Sequence, residues 1–282
     1  MKKSIFKLSI STIIIWSMLL GIAYYKSGNT LLRVYFLDID QGDATLIVSP
    51  ENQKILIDGG PHSNVLSRLG EILPFYDKEI DLVILTHPHA DHLDGLVEIL
   101  KRYNVKNVLL APVFYKTAAY LEFLETIHKK KINFISAENK TDFRFGENLK
   151  IDIIFPLQKT EFMEFKNLNN ASVCLKLSFG DNTFLFTGDA EENVETILLK
   201  SKQDLKADIF QAGHHGSNTS NTSNFLKSIN PRLVVISSGK ENKFNHPAPE
   251  TLQKLSKLKI NVLNTQIDGT VKLECDLEKC SR

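Results

Sequence analysis

The most informative segment of the chain is DLVILTHPHADHLDG, residues 81–95. An apolar, β-branched run ends at Thr86, and three histidines and an aspartate follow at once. Pro88 blocks regular helix between the histidines. In an extended loop His87 and His89 project to the same side, while Asp91 and His92 open the next helix and face a second point. One loop therefore supplies ligands for two neighbouring metal ions.

The residue types in this loop indicate which metals it binds. Imidazole and carboxylate groups suit Zn²⁺, Mn²⁺ or iron. The alternative is a solvated polar loop, but crowding four such groups together without a metal would carry a large desolvation cost. We therefore expect two divalent metal ions, Zn²⁺ or Mn²⁺, as cofactors.

Two later segments offer further ligands. The strand-like run FLFTGDA (184–190) delivers Asp189 to an edge, where one carboxylate can bridge two cations. An aspartate after glycine is also a common helix N-cap. The segment QAGHHGSNTS (211–220) holds His214 and His215 between two glycines, which let the backbone approach a ligand closely. A surface turn is the alternative interpretation.

Composition and charge narrow the class of protein. The chain has 282 residues, 43% of them hydrophobic and 24% charged, which is typical of a globular protein. Four of its 34 basic residues and none of its 33 acidic residues lie in residues 1–26, so the remainder carries a net charge of −3. Proteins that bind nucleic acid through overall charge are basic, whereas this body is slightly acidic. A polyanionic ligand would therefore need a local positive centre, such as bound metal, to bind here.

The N-terminal region differs from the rest of the chain. Residues 8–25 form an uncharged, mostly apolar run of 18 residues after three lysines. As a helix this run is about 27 Å long, close to the hydrocarbon thickness of a bilayer. A cleaved signal peptide has the same layout, although no clear small-residue cleavage motif follows. We expect residues 1–30 to be a membrane anchor or signal peptide. Residues 31–282 would then form one domain that is extracytoplasmic at the cell membrane or secreted.

The remaining sequence alternates short apolar strands with helical segments, which favours sheets covered by helices. The helical segments predicted are residues 93–103, 119–130, 191–202, 222–229 and 249–258. Of the three cysteines, Cys174 lies in an apolar run and is expected in the core, while Cys275 and Cys280 can pair if the domain is exported.

A series of motifs spans nearly all of residues 33–274 and carries a resemblance. In chain order the motifs are DIDQGD (38–43), LIDGG (56–60), HPHADH (87–92), NNASV (169–173), FTGD (186–189), GHHGS (213–217), GKENKFNHP (239–247) and TQIDGT (265–270). Together they resemble the metallo-β-lactamase fold, and more closely the extracellular hydrolase domain of the ComEC-type DNA-uptake proteins. The resemblance implies an α+β protein, a four-layer αβ/βα sandwich of two mixed sheets with helices on the outer faces.

The resemblance also implies a ligand set. His87 and His89 would hold the first metal, Asp91 and His92 the second, and Asp189 would bridge the two. One of His214 and His215 would complete the second site, and the other would lie behind it or contact substrate.

Two departures from the wider fold family bear on this set. Many relatives have a further histidine before the bridging aspartate, where this chain offers Asn169 and Asn170. Asparagine is a weaker, neutral ligand, so the first site can be short of a donor. Asp40 stands where the uptake proteins commonly have glycine, and it either faces the metal pocket or caps a turn.

Two metals in one cleft lower the pKa of a bound water and stabilise the oxygens of an in-line displacement, which suits phosphoester hydrolysis. Asp91 is the candidate for proton transfer and His246 for donation to a leaving or transition-state oxygen, unless its hydrogen bond is structural. Lys240 meets phosphate oxygens or is simply solvated, and Ser217 contacts a backbone phosphate or forms a polar turn.

The preferred function is a metal-dependent phosphodiesterase or nuclease, with single-stranded DNA as a candidate substrate. The alternatives are a hydrolase of a cell-envelope ester, such as phosphocholine or a lactone, and a non-catalytic DNA-binding module. The fold hosts many substrates, so sequence pattern alone does not select one.

Overall fold

The computed structural model describes residues 11–18, 30–138, 141–160 and 163–282. Residues 11–18 are helical (α1), and the rest of the predicted anchor or signal segment, up to residue 29, lies outside the described residues. Among the helices that are described, none is both long and apolar enough to cross a bilayer.

Two sheets form the centre of the domain. The first sheet has eight strands in the order β15-β14-β1-β2-β3-β4-β5-β6. Its strands are β1 (Leu32–Phe36), β2 (Thr45–Val48), β3 (Lys54–Ile57), β4 (Glu79–Leu85), β5 (Asn104–Leu110), β6 (Asn133–Ser136), β14 (Val271–Cys275) and β15 (Cys280–Ser281). Strands β3 to β6 are parallel to one another and the remaining pairs are antiparallel, so the sheet is mixed.

The second sheet has seven strands in the order β13-β12-β11-β10-β9-β8-β7. Its strands are β7 (Asp142–Phe145), β8 (Leu149–Phe155), β9 (Cys174–Phe179), β10 (Asn182–Phe186), β11 (Ile209–Gln211), β12 (Leu233–Ile236) and β13 (Asn261–Asn264). It is antiparallel from β7 to β10 and parallel from β10 to β13.

Helices cover the outer face of each sheet. They are α2 (Asn64–Ile72), α3 (Ala90–Arg102), α4 (Ala118–Lys130), α5 (Glu192–Lys200), α6 (Ser223–Ile229), α7 (Pro249–Lys257) and the single turn α8 (Thr265–Asp268). Side-chain caps begin three of them: the hydroxyl of Thr117 accepts from the Tyr120 N–H, that of Thr222 accepts from the Phe225 N–H, and Oδ1 of Asn264 accepts from the Gln266 N–H.

Three buried clusters account for the layers. The central cluster contains residues of both sheets, including Phe36 and Phe186, whose ring centroids are 6.1 Å apart. A second cluster packs α2, α3 and α4 on the first sheet, and a third packs helices α5 to α7 on the second. The predicted α+β fold, a four-layer αβ/βα sandwich, is confirmed.

The cysteines occupy the positions expected of them. Cys174 is fully buried, and a disulfide joins Cys275 to Cys280 across the β14–β15 hairpin.

Candidate functional site

The candidate site lies where strands of the two sheets end side by side. Thr86 follows β4, and its carbonyl accepts a hydrogen bond from the Val173 N–H just before β9. Gly188 follows β10 with φ +50°, and a Cβ atom there would lie 2.8 Å from Cβ of Thr86. The close approach of the two sheets therefore requires glycine, and it brings Asp189 beside the histidines of the β4–α3 loop.

The carboxylate of Asp189 is the centre of the site. Its Oδ2 lies 3.7 Å from Nε2 of His87 and 3.6 Å from Nε2 of His214. Its Oδ1 lies 3.3 Å from Nε2 of His92 and 3.6 Å from Nε2 of His215. Each oxygen of one buried carboxylate thus faces a different pair of imidazoles.

Two groups of potential metal ligands share this carboxylate. Ligand atoms of His87, His89 and Asp189 lie within 4.8 Å of one another, as do those of Asp91, His92 and His215. Nε2 of His87 is 3.0 Å from Nδ1 of His89, and Nε2 of His215 is 3.3 Å from Oδ2 of Asp91. The sequence-predicted loop therefore does divide its ligand atoms between two points.

Hydrogen bonds on the far side of the imidazoles leave Nε2 free to face Asp189. Nδ1 of His92 donates to Oδ2 of Asp58 at 2.8 Å. The same oxygen accepts from the Thr86 hydroxyl at 2.7 Å, and Thr86 Oγ1 lies 3.1 Å from Nδ1 of His87. Fixing Nδ1 as the protonated nitrogen makes Nε2 a lone-pair donor, the arrangement usual for metal-binding histidines.

His215 has a similar support. Its Nδ1 lies 3.1 Å from the carbonyl oxygen of Ser237 and 3.2 Å from Oδ1 of Asp43. Asp43 reaches the site because its N–H donates to the Asp91 carbonyl, while Gly42, at φ +142°, packs against that carbonyl with no room for a Cβ atom.

His214 and His215 both have a left-handed backbone conformation, which makes their rings face opposite oxygens of Asp189. Their φ angles are 51° and 53°, so the two rings diverge from a tight turn at Gly213–Gly216. Nδ1 of His214 lies 3.2 Å from Oγ1 of Thr219 and 3.6 Å from Oε1 of Glu191. Nε2 of His214 therefore approaches Asp189 from the side of His87, not from the side of the second ligand group.

The charges within the site shift the pKa values of its members. Burial raises the pKa of Asp189, but His92 and His215 outweigh burial, and its pKa lies well below its ordinary value. Burial lowers the pKa of His92, but Asp189 and Asp58 outweigh that effect and raise it. Burial and the neighbouring His92 lower the pKa of His87 well below normal. His87 is therefore neutral before a metal binds, whereas His92 would give up a proton to a bound cation.

The donor set fits divalent metal ions. Among the residues that the structure describes, the buried atoms without a hydrogen-bond partner include three at the centre of the site: Nε2 of His92, Oδ1 of Asp189 and Nε2 of His215. Buried polar atoms are rarely left unpaired in proteins. All three face one another, so a shared cation would satisfy them together.

The other residues predicted from the sequence lie at different distances from this centre. Oδ1 of Asn170 accepts from the Glu191 N–H, whereas Nδ2 of Asn169 is 3.5 Å from Nδ1 of His214. Asp40 is exposed and lies against Gly239. Ser217 is buried, and its hydroxyl accepts from the Thr219 N–H, which stabilises the turn after the double histidine.

Lys240 and His246 belong to the loop between β12 and α7. Lys240 is exposed and lines a groove of about 620 Å³ beside the metal-ligand cluster. His246 lines both that groove and a cavity of about 300 Å³ that contains the ligand cluster. Burial, together with His215 and His214, lowers the pKa of His246 to about 4.

Sequence reasoning missed three supporting carboxylates, those of Asp43, Asp58 and Glu191. Asp58 had a usable signal: it directly follows β3, the parallel neighbour of β4, so it must lie beside Thr86. Glu191 appeared to be only an acidic residue at a helix start, but its side chain accepts from Asn167, Asn169 and Thr219.

Comparison with known proteins agrees with this geometry. Residues 37–240 match the model of the metallo-beta-lactamase superfamily. The chain is 27% identical to ComE operon protein 3 of Bacillus subtilis over 288 aligned residues, covering 96% of this chain and 36% of that protein. It is 33% identical to Recombination protein 2 of Haemophilus influenzae over 246 residues, covering 86% of this chain and 28% of that protein. The chain therefore spans about a third of the length of these relatives.

A solved structure shows the same fold. The metallo-beta-lactamase fold protein YhfI from Bacillus subtilis aligns with a TM-score of 0.52 at 14% identity, covering 82% of this chain and 95% of that one. The predicted resemblance to ComEC-type competence proteins is confirmed, as is the prediction of an enzyme of the metal-dependent hydrolase class. With the family model covering most of the chain and a shared carboxylate between two ligand groups, this chain belongs to the metallo-beta-lactamase superfamily.

Proposed function

We propose that the chain is a two-metal phosphodiesterase that cleaves nucleic acid, with single-stranded DNA as the substrate. The observation that carries the proposal is the carboxylate of Asp189, which presents Oδ2 to His87 and Oδ1 to His92. Two cations side by side are suited to an in-line displacement at phosphorus, because they stabilise both the attacking and the leaving oxygen.

The two spatial groups of ligand atoms determine which residues are assigned to each metal. His87 and His89 would hold the first metal, and Asp91, His92 and His215 would hold the second. Asp189 would bind both ions, and His214, whose Nε2 lies 3.6 Å from Oδ2 of Asp189, would support the first site. The proposed hydrolase domain is residues 31–282, and residues 1–30 are proposed to attach it to the membrane or to export it.

When bound, the metals supply an activated water and positive charge for the phosphate. The protein's own groups orient this chemistry. Asp58 and Asp43 hold the rings of His92 and His215 in place. The side chain of Asp91 remains 29% exposed, so it can accept a proton at the cavity. His246 faces the same cavity, and its neutral ring can donate one N–H hydrogen bond to the leaving oxygen.

The relatives support nucleic acid as the substrate class, since one of them is named a recombination protein. The absence of excess positive charge on the body of the chain does not oppose this assignment. Bound metal supplies the local positive centre that a polyanion needs.

The test is cleavage of end-labelled single-stranded DNA by the full chain with Mn²⁺ or Zn²⁺. The Asp189→Asn variant should lose cleavage at least about 100-fold, because the bridging charge is gone while the side-chain shape is kept. Asp181→Asn, at the exposed opposite end of β10, is the matched control and should cleave normally. Intact DNA with metal shown to be bound would overturn the proposal and favour a cell-envelope ester as substrate.

A further inference from the structure

An exposed aromatic side chain lies at the mouth of the metal cavity. Phe244 is 53% exposed, yet it lines the same cavity as Asp189 and His214. Its ring stacks on His246 with centroids 5.7 Å apart and an interplanar angle of 24°. The ring is thus open to solvent on the wall of the cavity that contains the ligand cluster.

Hydrogen bonds within the loop hold this ring outward. The amide of Asn242 donates to the carbonyls of Gly239 and His246 at 2.8 and 2.7 Å, and its Oδ1 accepts from the His246 N–H at 2.8 Å. Gln266 donates to the carbonyls of Gly239 and Lys240. Phe244 is therefore presented by a braced loop, which lowers the entropic cost of using it as a contact surface.

Lysine side chains near the ring can bind the phosphates of a nucleic-acid strand. Nζ of Lys243 lies 5.1 Å from the centre of the Phe244 ring, and Lys240 is exposed in the same loop. The loop also contains the exposed Glu241. Asp268 in the neighbouring groove is neutralised by Arg282 at 2.9 Å. A base on the ring would thus bring its phosphate within reach of an ammonium group.

The adjoining groove can accommodate the nucleotides that follow in a nucleic-acid strand. It meets the metal cavity at His246, has a volume of about 620 Å³, and is lined by amides such as Asn264 and by apolar side chains such as the 81% exposed Ile267. Amides and apolar surface together suit bases and sugars, which carry no charge of their own.

We propose that Phe244 is a base-stacking residue that binds the nucleotide next to the scissile phosphate, with the single strand leaving the metal cavity over His246 along this groove. The inference rests on the proposed function and names its substrate as a strand with unpaired bases. Stacking on an aromatic side chain tolerates every base, because every base has a π-face.

Tryptophan fluorescence tests the contact without requiring turnover. The chain has one tryptophan, Trp16, so Phe244→Trp adds a reporter at the site, and Phe75→Trp adds one at an aromatic that is 87% exposed and lines neither cavity. A ten-residue oligothymidylate should quench Phe244→Trp, and an abasic oligomer of equal length should not. Phe75→Trp should respond to neither. Equal responses to both oligomers, or none from Phe244→Trp, would overturn the proposal.

A binding measurement gives the contribution of Phe244 to affinity for a strand with bases. Phe244→Ala should reduce the preference of the full chain for oligothymidylate over the abasic oligomer by about 5- to 150-fold, the loss expected for one stacked base. Phe75→Ala should keep the wild-type preference, and an unchanged preference in Phe244→Ala contradicts the assignment. If oligothymidylate quenches Phe244→Trp but the metal-loaded wild type does not cleave DNA, the phosphodiesterase proposal is refuted and the stacking site is still supported.

Discussion

Gly95 holds the helix that carries Asp91 and His92 against the loop after β3, and replacing it tests how the site is positioned. A Cβ atom at Gly95 would lie 1.9 Å from the carbonyl oxygen of Gly59, where ordinary contact begins at 3.4 Å. Gly95→Ala must therefore move the helix by about 1.5 Å. The hydrogen bonds from Gly95 to Gly60 and from Gly59 to His92, at 3.0 and 2.8 Å, would break with that movement.

Overpacking costs about 1–3 kcal/mol, and the broken buried hydrogen bonds add a similar amount. We expect Gly95→Ala to lower the free energy of unfolding by about 3–5 kcal/mol and Tm by roughly 10 °C. The displacement would also carry His92 away from Asp58, so the variant should bind less metal even where it folds.

Gly70→Ala is the matched control, because Gly70 is also helical but has nothing within 4 Å of a Cβ atom. It should stabilise the protein by about 0.5–1 kcal/mol through helix propensity. Both variants are measured by urea unfolding in EDTA, and their metal content by mass spectrometry. A Gly95→Ala variant within about 0.5 kcal/mol of wild type and with full metal content would show that the close contact at Gly95 does not position the helix.

Three further predictions concern other parts of the fold. Asp58→Asn should lower metal affinity about 10- to 100-fold by releasing the ring of His92, as titration with Mn²⁺ would show. Asp208→Asn, which disturbs a similar contact with Thr183 away from the site, should leave affinity unchanged. Burial raises the pKa of Asp77, but the hydrogen bond and charge of the buried Lys54 outweigh it and leave the pKa lowered. The stabilisation of the folded state by the Asp77–Lys54 ion pair is thus present above about pH 4, and it is lost as the pH falls through the lowered pKa of Asp77. Asp77→Asn should cost about 2 kcal/mol or more at pH 7 and less in acid; an equal loss at pH 3 and pH 7 in urea unfolding would contradict this. Replacing Cys275 and Cys280 together by serine should cost about 2 kcal/mol in the same assay, because the closed loop is short; an unchanged free energy of unfolding would contradict this prediction.

The sequence predicted those parts of the site that depend on local order along the chain. The strand before Thr86, the turn at Pro88 and the helix after His89 follow from hydrophobic pattern and proline chemistry, so the division of the loop between two ligand groups was predictable. The layered fold was predictable for the same reason, since apolar strands alternate with helical segments throughout.

The parts that the sequence did not predict depend on contacts between distant segments. The separation of His214 from His215 arises from two successive residues in the left-handed backbone conformation, which is uncommon for residues other than glycine. Asn169, not Asn170, approaches His214, because the short 3₁₀ turn Leu168–Ala171 sets which side chain faces inward. Likewise Glu191 reaches the site through Thr219, a residue 28 positions away.

The two-metal site is tested by the number of metal ions bound per chain. The full chain is equilibrated with Mn²⁺, separated from free metal, and analysed by mass spectrometry beside Asp189→Asn and the control Asp181→Asn. The shared carboxylate predicts two ions in the wild type and in Asp181→Asn, and one or none in Asp189→Asn. Two ions retained by Asp189→Asn, or fewer than two bound by the wild type at saturation, would contradict the two-metal account.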